Sequence, residues 1–115
     1  MHHVFNLSIS YIQVAKSHST DFGFWVYDDR DVMPALASWS SQAAGMVWAP
    51  EVASIKGQLV MYYSDEAVST GGLCVGIATS SLAGGPYTPT NASQPLICAP
   101  GDPGVIDPFP FEVCA

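Results

Sequence analysis

Asp107 is the residue with the clearest chemical potential, because it is the only charged side chain in the apolar segment from Val105 to Phe111. An apolar surround disfavours the charged form of a carboxylic acid. Enzymes use such a group as an acid, as a base, or as a carboxylate that tunes a neighbouring acid. Pro108 restricts Asp107 to an extended conformation, so the segment also predicts a strand that begins here. On these residues alone the alternative is that Asp-Pro merely opens a turn.

Trp48 is the second candidate, because it precedes the pair Ala49-Pro50. A proline lacks the backbone donor of a strand interior, so Trp48 is expected at the start of a strand. An indole at a strand end can line a pocket and stack on the apolar face of a sugar ring. The alternative is an ordinary core tryptophan.

The other acidic groups are predicted to be structural or exposed. The charged run 28–31 is expected to be a solvated loop, since charge clusters usually are. Asp65 and Glu66 resemble a catalytic pair but precede Ser-, Thr- and Gly-rich sequence, so exposure is predicted. Glu51 either turns into a pocket or pairs locally. No metal or cofactor is predicted, because three residues lack the spacing of metal ligands: His2, His3 and His18.

The elements that must position these residues are strands. Four short segments are β-branched or aromatic and are bounded by turn residues: 11–15, 51–55, 58–63 and 73–78. Lys56-Gly57 predicts a tight hairpin between the second and third. Residues 32–41 allow at most one helical turn. The sequence therefore predicts an all-β protein.

The composition limits the classes of partner. The chain has 115 residues, 11% of them charged, and a formal net charge of −7. It has no basic stripe for phosphates, which argues against nucleic acids and anionic membranes. No apolar run approaches the roughly 20 residues of a membrane span. Neutral ligands such as sugars fit this balance best.

The cysteines and two sequons bear on the compartment. Cys74 and Cys98 flank a turn-rich segment and are predicted to form a disulfide, while Cys114 is left over. Asn6-Leu7-Ser8 and Asn91-Ala92-Ser93 permit glycosylation if the chain is exported. Residues 1–10 lack the features of a signal peptide, so any secretion signal is expected upstream of Met1.

A weak repeat suggests the architecture. A strand, a small polar tract, a turn and an aromatic residue recur at an offset of 63 residues, as in propeller blades with long loops. This predicts the end of one blade in 1–30, the next in 48–90, and the start of a third in 105–115. The chain would then hold under two blades of a propeller and be a fragment, with unpaired edges that favour aggregation.

Five motifs occur in a characteristic order: Trp48-Ala49-Pro50-Glu51-Val52, Lys56 to Ser64, Val75 to Ser81, Gly85 to Pro89, and Val105-Ile106-Asp107-Pro108. This series resembles glycoside hydrolase family 43, five-bladed β-propellers that act on arabinose- and xylose-containing polysaccharides. The resemblance covers nearly the whole chain, from about Tyr11 to Phe111. It implies a partial β-propeller, a polysaccharide or oligosaccharide substrate and a secreted protein.

The resemblance also implies an inverting mechanism with a general base, a general acid and a third carboxylate that tunes the acid. The tuning carboxylate of the Ile-Asp-Pro motif corresponds to Asp107, and Trp48 is expected to line the sugar site. The base is expected before Met1 and the acid beyond Ala115, so this chain alone is predicted to be inactive. The alternatives are a non-catalytic carbohydrate-binding propeller and a related five-bladed glycosidase of other specificity. The Arg-Asp-Pro motif expected of fructan enzymes is missing, which argues against that specificity.

Overall fold

The structure is a computed structural model that describes residues 11–18, 21–42, 47–99 and 104–113. These residues form strands, turns and irregular segments and include no helix, so the predicted all-β class is confirmed. Residues 32–41 form turns and bends. The strands are β1 Val14–His18, β2 Asp21–Asp28, β3 Trp48–Ile55, β4 Gln58–Glu66, β5 Leu73–Ser80, β6 Thr88–Pro89 and β7 Ile97–Cys98.

The strands form two antiparallel sheets. Within the described part of the chain, β1 and β2 pair only with each other, with an irregular register between Ser17 and His18. The larger sheet has the order β3-β4-β5-β6, and β7 pairs with another part of β5. β4 and β5 are therefore the central strands, since each has a partner on both sides.

The predicted hairpin between β3 and β4 is confirmed. Ile55 pairs with Gln58, so Lys56 and Gly57 form a two-residue turn. Their φ angles are 50° and 81°. Positive φ at both central residues is typical of the turn whose twist matches the flanking strands.

The sequence prediction was less accurate for the first sheet. β1 begins three residues later than predicted, and β2 was not predicted as a strand. The exposed apolar run from Phe24 to Tyr27 explains the omission, because it lacks the apolar–polar alternation of a half-buried strand. The two-residue strands β6 and β7 were also missed. Their apolar content is too small to give a pattern.

The core lies between the larger sheet and the segment 32–39. Its centre is the ring of Tyr63 on β4, which stacks on Trp39 with 6.2 Å between ring centroids and 12° between ring planes. Gly76 on β5 lies directly against the Tyr63 ring. The other buried members of this cluster are Ile12, Val32, Met33, Ala37, Val47, Met61, Ala67, Cys74, Ala78 and Tyr87.

The charged run 28–31 is more structural than predicted. Asp31 is half-buried, and its carboxylate accepts hydrogen bonds from the N–H groups of Tyr11, Ile12 and Met33. Asp28 forms ion pairs with Arg30 and Lys16. Hydrogen bonds from Arg30 and then Lys16 hold the pKa of Asp28 far below its usual range. The prediction of a solvated loop was therefore wrong for these two carboxylates, although Asp29 and Arg30 are exposed.

The segment 104–113 begins with one β-bridge, between Gly104 and Leu73, and forms no strand. The φ angle of Gly104 is 98°, and a Cβ atom there would lie 2.3 Å from the carbonyl oxygen of Leu73. The prediction of a strand starting at Asp107 was wrong, because Pro108 and Pro110 remove alternate backbone donors. The division into blades at 1–30, 48–90 and 105–115 remains a prediction.

Candidate functional site

Asp107 lies in this irregular segment and is held by its backbone. Its N–H group donates a hydrogen bond to the hydroxyl oxygen of Ser64 on β4, at 3.1 Å. Its φ angle is 55°, which is uncommon for a residue other than glycine, so the extended conformation expected before Pro108 was also wrong. The side chain is exposed, so the apolar surround expected from its neighbours in sequence was wrong, whereas Ser64 is completely buried. The exposed carboxylate of Asp107 is therefore attached to a backbone that is hydrogen-bonded to the sheet.

Trp48 is the first residue of β3 and lies opposite the same serine. It is half-buried, and its register partner on β4 is Ser64. The register then shifts between Trp48 and Glu51, where Ala49 has a φ angle of 50° and Pro50 lacks a donor. An irregularity of this kind redirects the side chains beside it. The predicted position at a strand start is confirmed.

Ser64 thus brings together the two residues that the sequence singled out. It neighbours Trp48 through strand pairing and Asp107 through a hydrogen bond, although Asp107 lies 43 residues along the chain. Glu51, the undecided acidic residue, is half-buried on β3 opposite Tyr62. The sequence offered no signal for the contact with Ser64, because a serine inside a strand is chemically unremarkable there. The roles of Trp48 and Asp107 remain predictions.

Asp65 was predicted to be exposed, and that prediction was wrong. It lies within β4 and is completely buried. Its Oδ1 atom accepts a hydrogen bond from the N–H of Glu66, at 2.7 Å. Within the described part of the chain, Oδ2 has no hydrogen-bond partner. Burial is the main cause that raises the pKa of Asp65, and the nearby Ser40 hydroxyl partly opposes this effect.

Tyr63 and Asp65 belong to one buried polar cluster on a single face of β4. Residues two apart on a strand share a face, so Ser64 points to the opposite face. The Tyr63 hydroxyl has no partner among the described residues, and burial followed by the charge of Asp65 raises the pKa of Tyr63. This cluster therefore lies on the side of Trp39 and is separated by β4 from the Ser64 hydroxyl. Extending the alternation of Met61 and Tyr63 by one step would have predicted that Asp65 is buried.

Cys74 and Cys98 form a disulfide, and their Cα atoms are 4.6 Å apart. The two residues are register partners on β5 and β7, so the bond fixes β7 to the sheet. Cys114 lies outside the described residues.

An apolar groove of about 830 Å³ runs between the outer part of β3 and the segment 105–113. Its walls include Ile55, Ile106, Phe109 and Phe111. Neither Trp48 nor Asp107 lines it. A sugar site needs several converging polar groups as well as an apolar wall, so this groove is a poor candidate for one.

The described residues contain no group of three or more His, Cys, Asp or Glu side chains that could hold a metal ion. His2 and His3 lie outside them, as does the side chain of His18. In the same part of the chain, no helix is long and apolar enough to cross a membrane.

An antiparallel all-β fold with an aromatic residue and an aspartate beside one central strand is consistent with a carbohydrate-active enzyme. The family model described as glycosyl hydrolases family 43 matches residues 4–113. The chain therefore belongs to glycoside hydrolase family 43, and its two sheets are part of a β-propeller. The search of curated proteins and the search of solved structures each gave no match. Family membership implies a carbohydrate substrate.

Proposed function

We propose that this chain is part of an inverting, secreted glycoside hydrolase that acts on arabinose- or xylose-containing plant polysaccharides. The observation that supports the proposal best is that Trp48 and Asp107 both adjoin Ser64. Trp48 is the register partner of Ser64 on the neighbouring strand, and the Ser64 hydroxyl anchors the backbone of Asp107. An aromatic residue and an aspartate that adjoin the same residue of a strand suit a sugar site. The ring stacks on the apolar face of the sugar while the carboxylate acts near the glycosidic bond.

In this proposal Asp107 tunes a general acid that another part of the propeller supplies. A negative charge near a carboxylic acid stabilises the protonated form and raises the pKa of that acid. The acid then keeps its proton near neutral pH until the leaving group needs it. Asp107 fits this role because it is exposed, while its backbone is fixed by the hydrogen bond to Ser64.

The 115-residue chain alone is expected to be inactive, since Asp107 corresponds to only one of the three carboxylates that the inverting mechanism uses. The purified chain should release no arabinose or xylose from aryl glycosides. Reproducible release, abolished by Asp107→Asn, would contradict this part of the proposal.

The role of Asp107 is tested in an enzyme that contains this chain within a complete five-bladed propeller. Asp107→Asn keeps the shape of the side chain and removes its charge. We expect a large fall in kcat with little change in KM, because the lost interaction acts on the reacting groups. The alkaline limb of the pH–rate profile should move to lower pH, since the acid loses its proton sooner. Asp29→Asn, at an exposed position just after β2, is the matched control.

Two further measurements test the class of reaction. Product anomers followed by NMR from the first turnovers should show inversion at the anomeric carbon. Arabinan, arabinoxylan and xylo-oligosaccharides should be cleaved in preference to fructans. If the complete protein bound these polymers without cleaving them, it would instead be a carbohydrate-binding propeller. If Asp107→Asn changed neither kcat nor the limbs of the pH–rate profile, the role of Asp107 would be to form a turn.

A further inference from the structure

Asn91 is the asparagine of a sequon, Asn91-Ala92-Ser93, that lies in the loop between β6 and β7. The consensus needs a hydroxyl two residues after the asparagine and no proline between them, and Ala92 and Ser93 meet both conditions. Sequons of three residues are frequent by chance. The surroundings of Asn91 in the fold therefore decide whether this one is usable.

The loop presents the asparagine to solvent. Residues 91–94 are all exposed and belong to no strand. The Ser93 hydroxyl donates a hydrogen bond to the side-chain oxygen of Asn91, at 3.2 Å. The side-chain nitrogen, which is the atom that carries a glycan, is on the other branch of the amide. The two side chains of the motif therefore lie together on an open surface.

The backbone of the loop is anchored through groups that a glycan would leave intact. The carbonyl oxygen of Ala92 accepts hydrogen bonds from the N–H and the hydroxyl of Ser38, at 2.9 and 2.5 Å. The N–H of Thr90 donates to Ile77, and the N–H of Leu96 donates to Val75. All of these bonds use the backbone of the loop. A bulky substituent on the Asn91 side chain therefore requires no change in the sheet.

The disulfide gives an independent indication of the compartment. Cys74 and Cys98 join β5 to β7, and the loop they close contains Asn91. Structural disulfides form in oxidising compartments such as the lumen of the endoplasmic reticulum. In eukaryotes that lumen also holds the transferase that recognises sequons. A chain that acquires this disulfide there also meets the transferase.

We propose that Asn91 is an N-glycosylation site. In the reaction, the side-chain nitrogen of Asn91 forms a bond to the anomeric carbon of an oligosaccharide carried on a lipid pyrophosphate. The bond between that carbon and the phosphate oxygen breaks, and its electron pair leaves with the lipid pyrophosphate. One amide proton passes to a base of the transferase. The product carries a hydrophilic glycan on an exposed loop, where such groups increase solubility.

The test uses the 115-residue chain behind a cleavable secretion signal in a eukaryotic host. Asn6→Gln removes the other sequon, so that any N-glycan reports on Asn91. Cells and medium are pooled before analysis, because the transfer occurs on entry into the lumen whether or not the chain is later secreted. We expect a mass increase that peptide N-glycosidase removes, with conversion of Asn91 to aspartate in the recovered peptide.

Two variants of one residue provide the matched comparison. Ser93→Ala should abolish the glycan, whereas Ser93→Thr keeps the hydroxyl and should retain it. Non-reducing peptide maps should find the glycan on chains that also carry the Cys74–Cys98 bond. An unmodified Asn91 in the pooled protein would overturn the proposal. A glycan confined to chains without the disulfide would also overturn it, because the folded loop would then be incompatible with the modification.

Discussion

The hydroxyl of Ser64 accepts a hydrogen bond from the backbone N–H of Asp107, with 3.1 Å between oxygen and nitrogen. Ser64 is fully buried on a central strand, while the residue it holds is exposed and has a positive φ angle. Ser64 thus holds an irregular segment whose backbone is otherwise joined to the sheet by the bridge of Gly104 with Leu73 and by the hydrogen bond from the Val105 N–H to Leu73. Because Ser64 is also the register partner of Trp48, it defines the relative position of both candidate site residues.

Ser64→Ala should loosen Asp107 in the chain as it stands. The substitution removes the acceptor, and a typical hydrogen bond contributes a net ~0.5–1.5 kcal/mol. We expect the amide hydrogen of Asp107 to exchange with solvent about 2 to 10 times faster, as the same energy range implies. Hydrogen exchange followed by NMR measures this directly. Ser54→Ala removes an exposed hydroxyl from β3 and should leave that rate unchanged; equal rates in the wild type and Ser64→Ala would contradict the role of Ser64.

The local parts of this fold could be predicted from the sequence, and the contacts between distant segments could not. The hairpin at Lys56-Gly57 depends on two residues and their flanking strands, so it was predicted correctly. The burial of Asp65 depends on the segment that carries Trp39 and Ser40, more than 20 positions away. The tract of Ser, Thr and Gly at 69–72, a few residues further on, indicates a loop, and the prediction followed that tract.

The candidate site shows the same division. Trp48 was correctly placed at a strand start because Pro50 marks the irregularity beside it. Asp107 was placed at the start of a strand because its neighbours are apolar, but the alternating prolines at 108 and 110 prevent a regular ladder. That Ser64 unites the two residues follows from strand register and from a contact across 43 positions. Neither the register nor this contact can be inferred from the residue types alone.

Gly76→Ala should strongly destabilise the protein. A Cβ atom at this position would lie 2.3 Å from the Cζ atom of Tyr63, whose ring is buried against Trp39. The ring cannot yield without losing its stacking partner, and overpacking of this kind costs about 1–3 kcal/mol or more. Urea unfolding followed by tryptophan fluorescence measures the loss.

Gly84→Ala is the control for that experiment. A Cβ atom there meets only the flexible end of Lys16, at 3.5 Å. We therefore expect a change within about 0.5 kcal/mol, as for ordinary surface substitutions. If both glycine variants had the same stability, the close contact between Gly76 and Tyr63 would be wrong.

Loss of the disulfide should lower stability and release β7. Cys98→Ser changes an exposed residue and leaves the buried Cys74 side chain in the core. The loss of stability should therefore come mainly from the unfolded chain, which the disulfide no longer constrains. For a loop of this length the chain-entropy model gives about 3.5 kcal/mol. The wild type in excess dithiothreitol should fall to the stability of Cys98→Ser. Cys114→Ser removes the third thiol and should change neither the stability nor its response to the reductant.

The buried carboxyl of Asp65 should make stability depend on pH in a direction opposite to that of a salt-bridged aspartate. Burial raises its pKa in the folded protein above the ordinary value of 3.8. As the pH rises past 3.8, the unfolded chain releases this proton while the folded chain still holds it. The folded state then binds more protons than the unfolded state, so the free energy of unfolding falls with rising pH. The fall ends when the pH exceeds the raised pKa.

Asp65→Asn isolates this contribution, because an amide has nearly the same shape, keeps the acceptor for the Glu66 N–H and does not titrate in this range. The stability of the variant relative to the wild type should increase as the pH rises above 3.8, by at most about 1.4 kcal/mol per pH unit, until the pH passes the raised pKa of Asp65. Urea unfolding at a series of pH values gives the difference directly, and subtracting the two curves cancels the other carboxylates. Asp29→Asn also removes one negative charge but at an exposed position, and it is the matched control.

If the Asp65→Asn curve ran parallel to that of the wild type, Asp65 would have to be ionised in the folded state at its ordinary pKa. A carboxyl with one oxygen buried and without a hydrogen-bond partner cannot meet that requirement without water or another group reaching it.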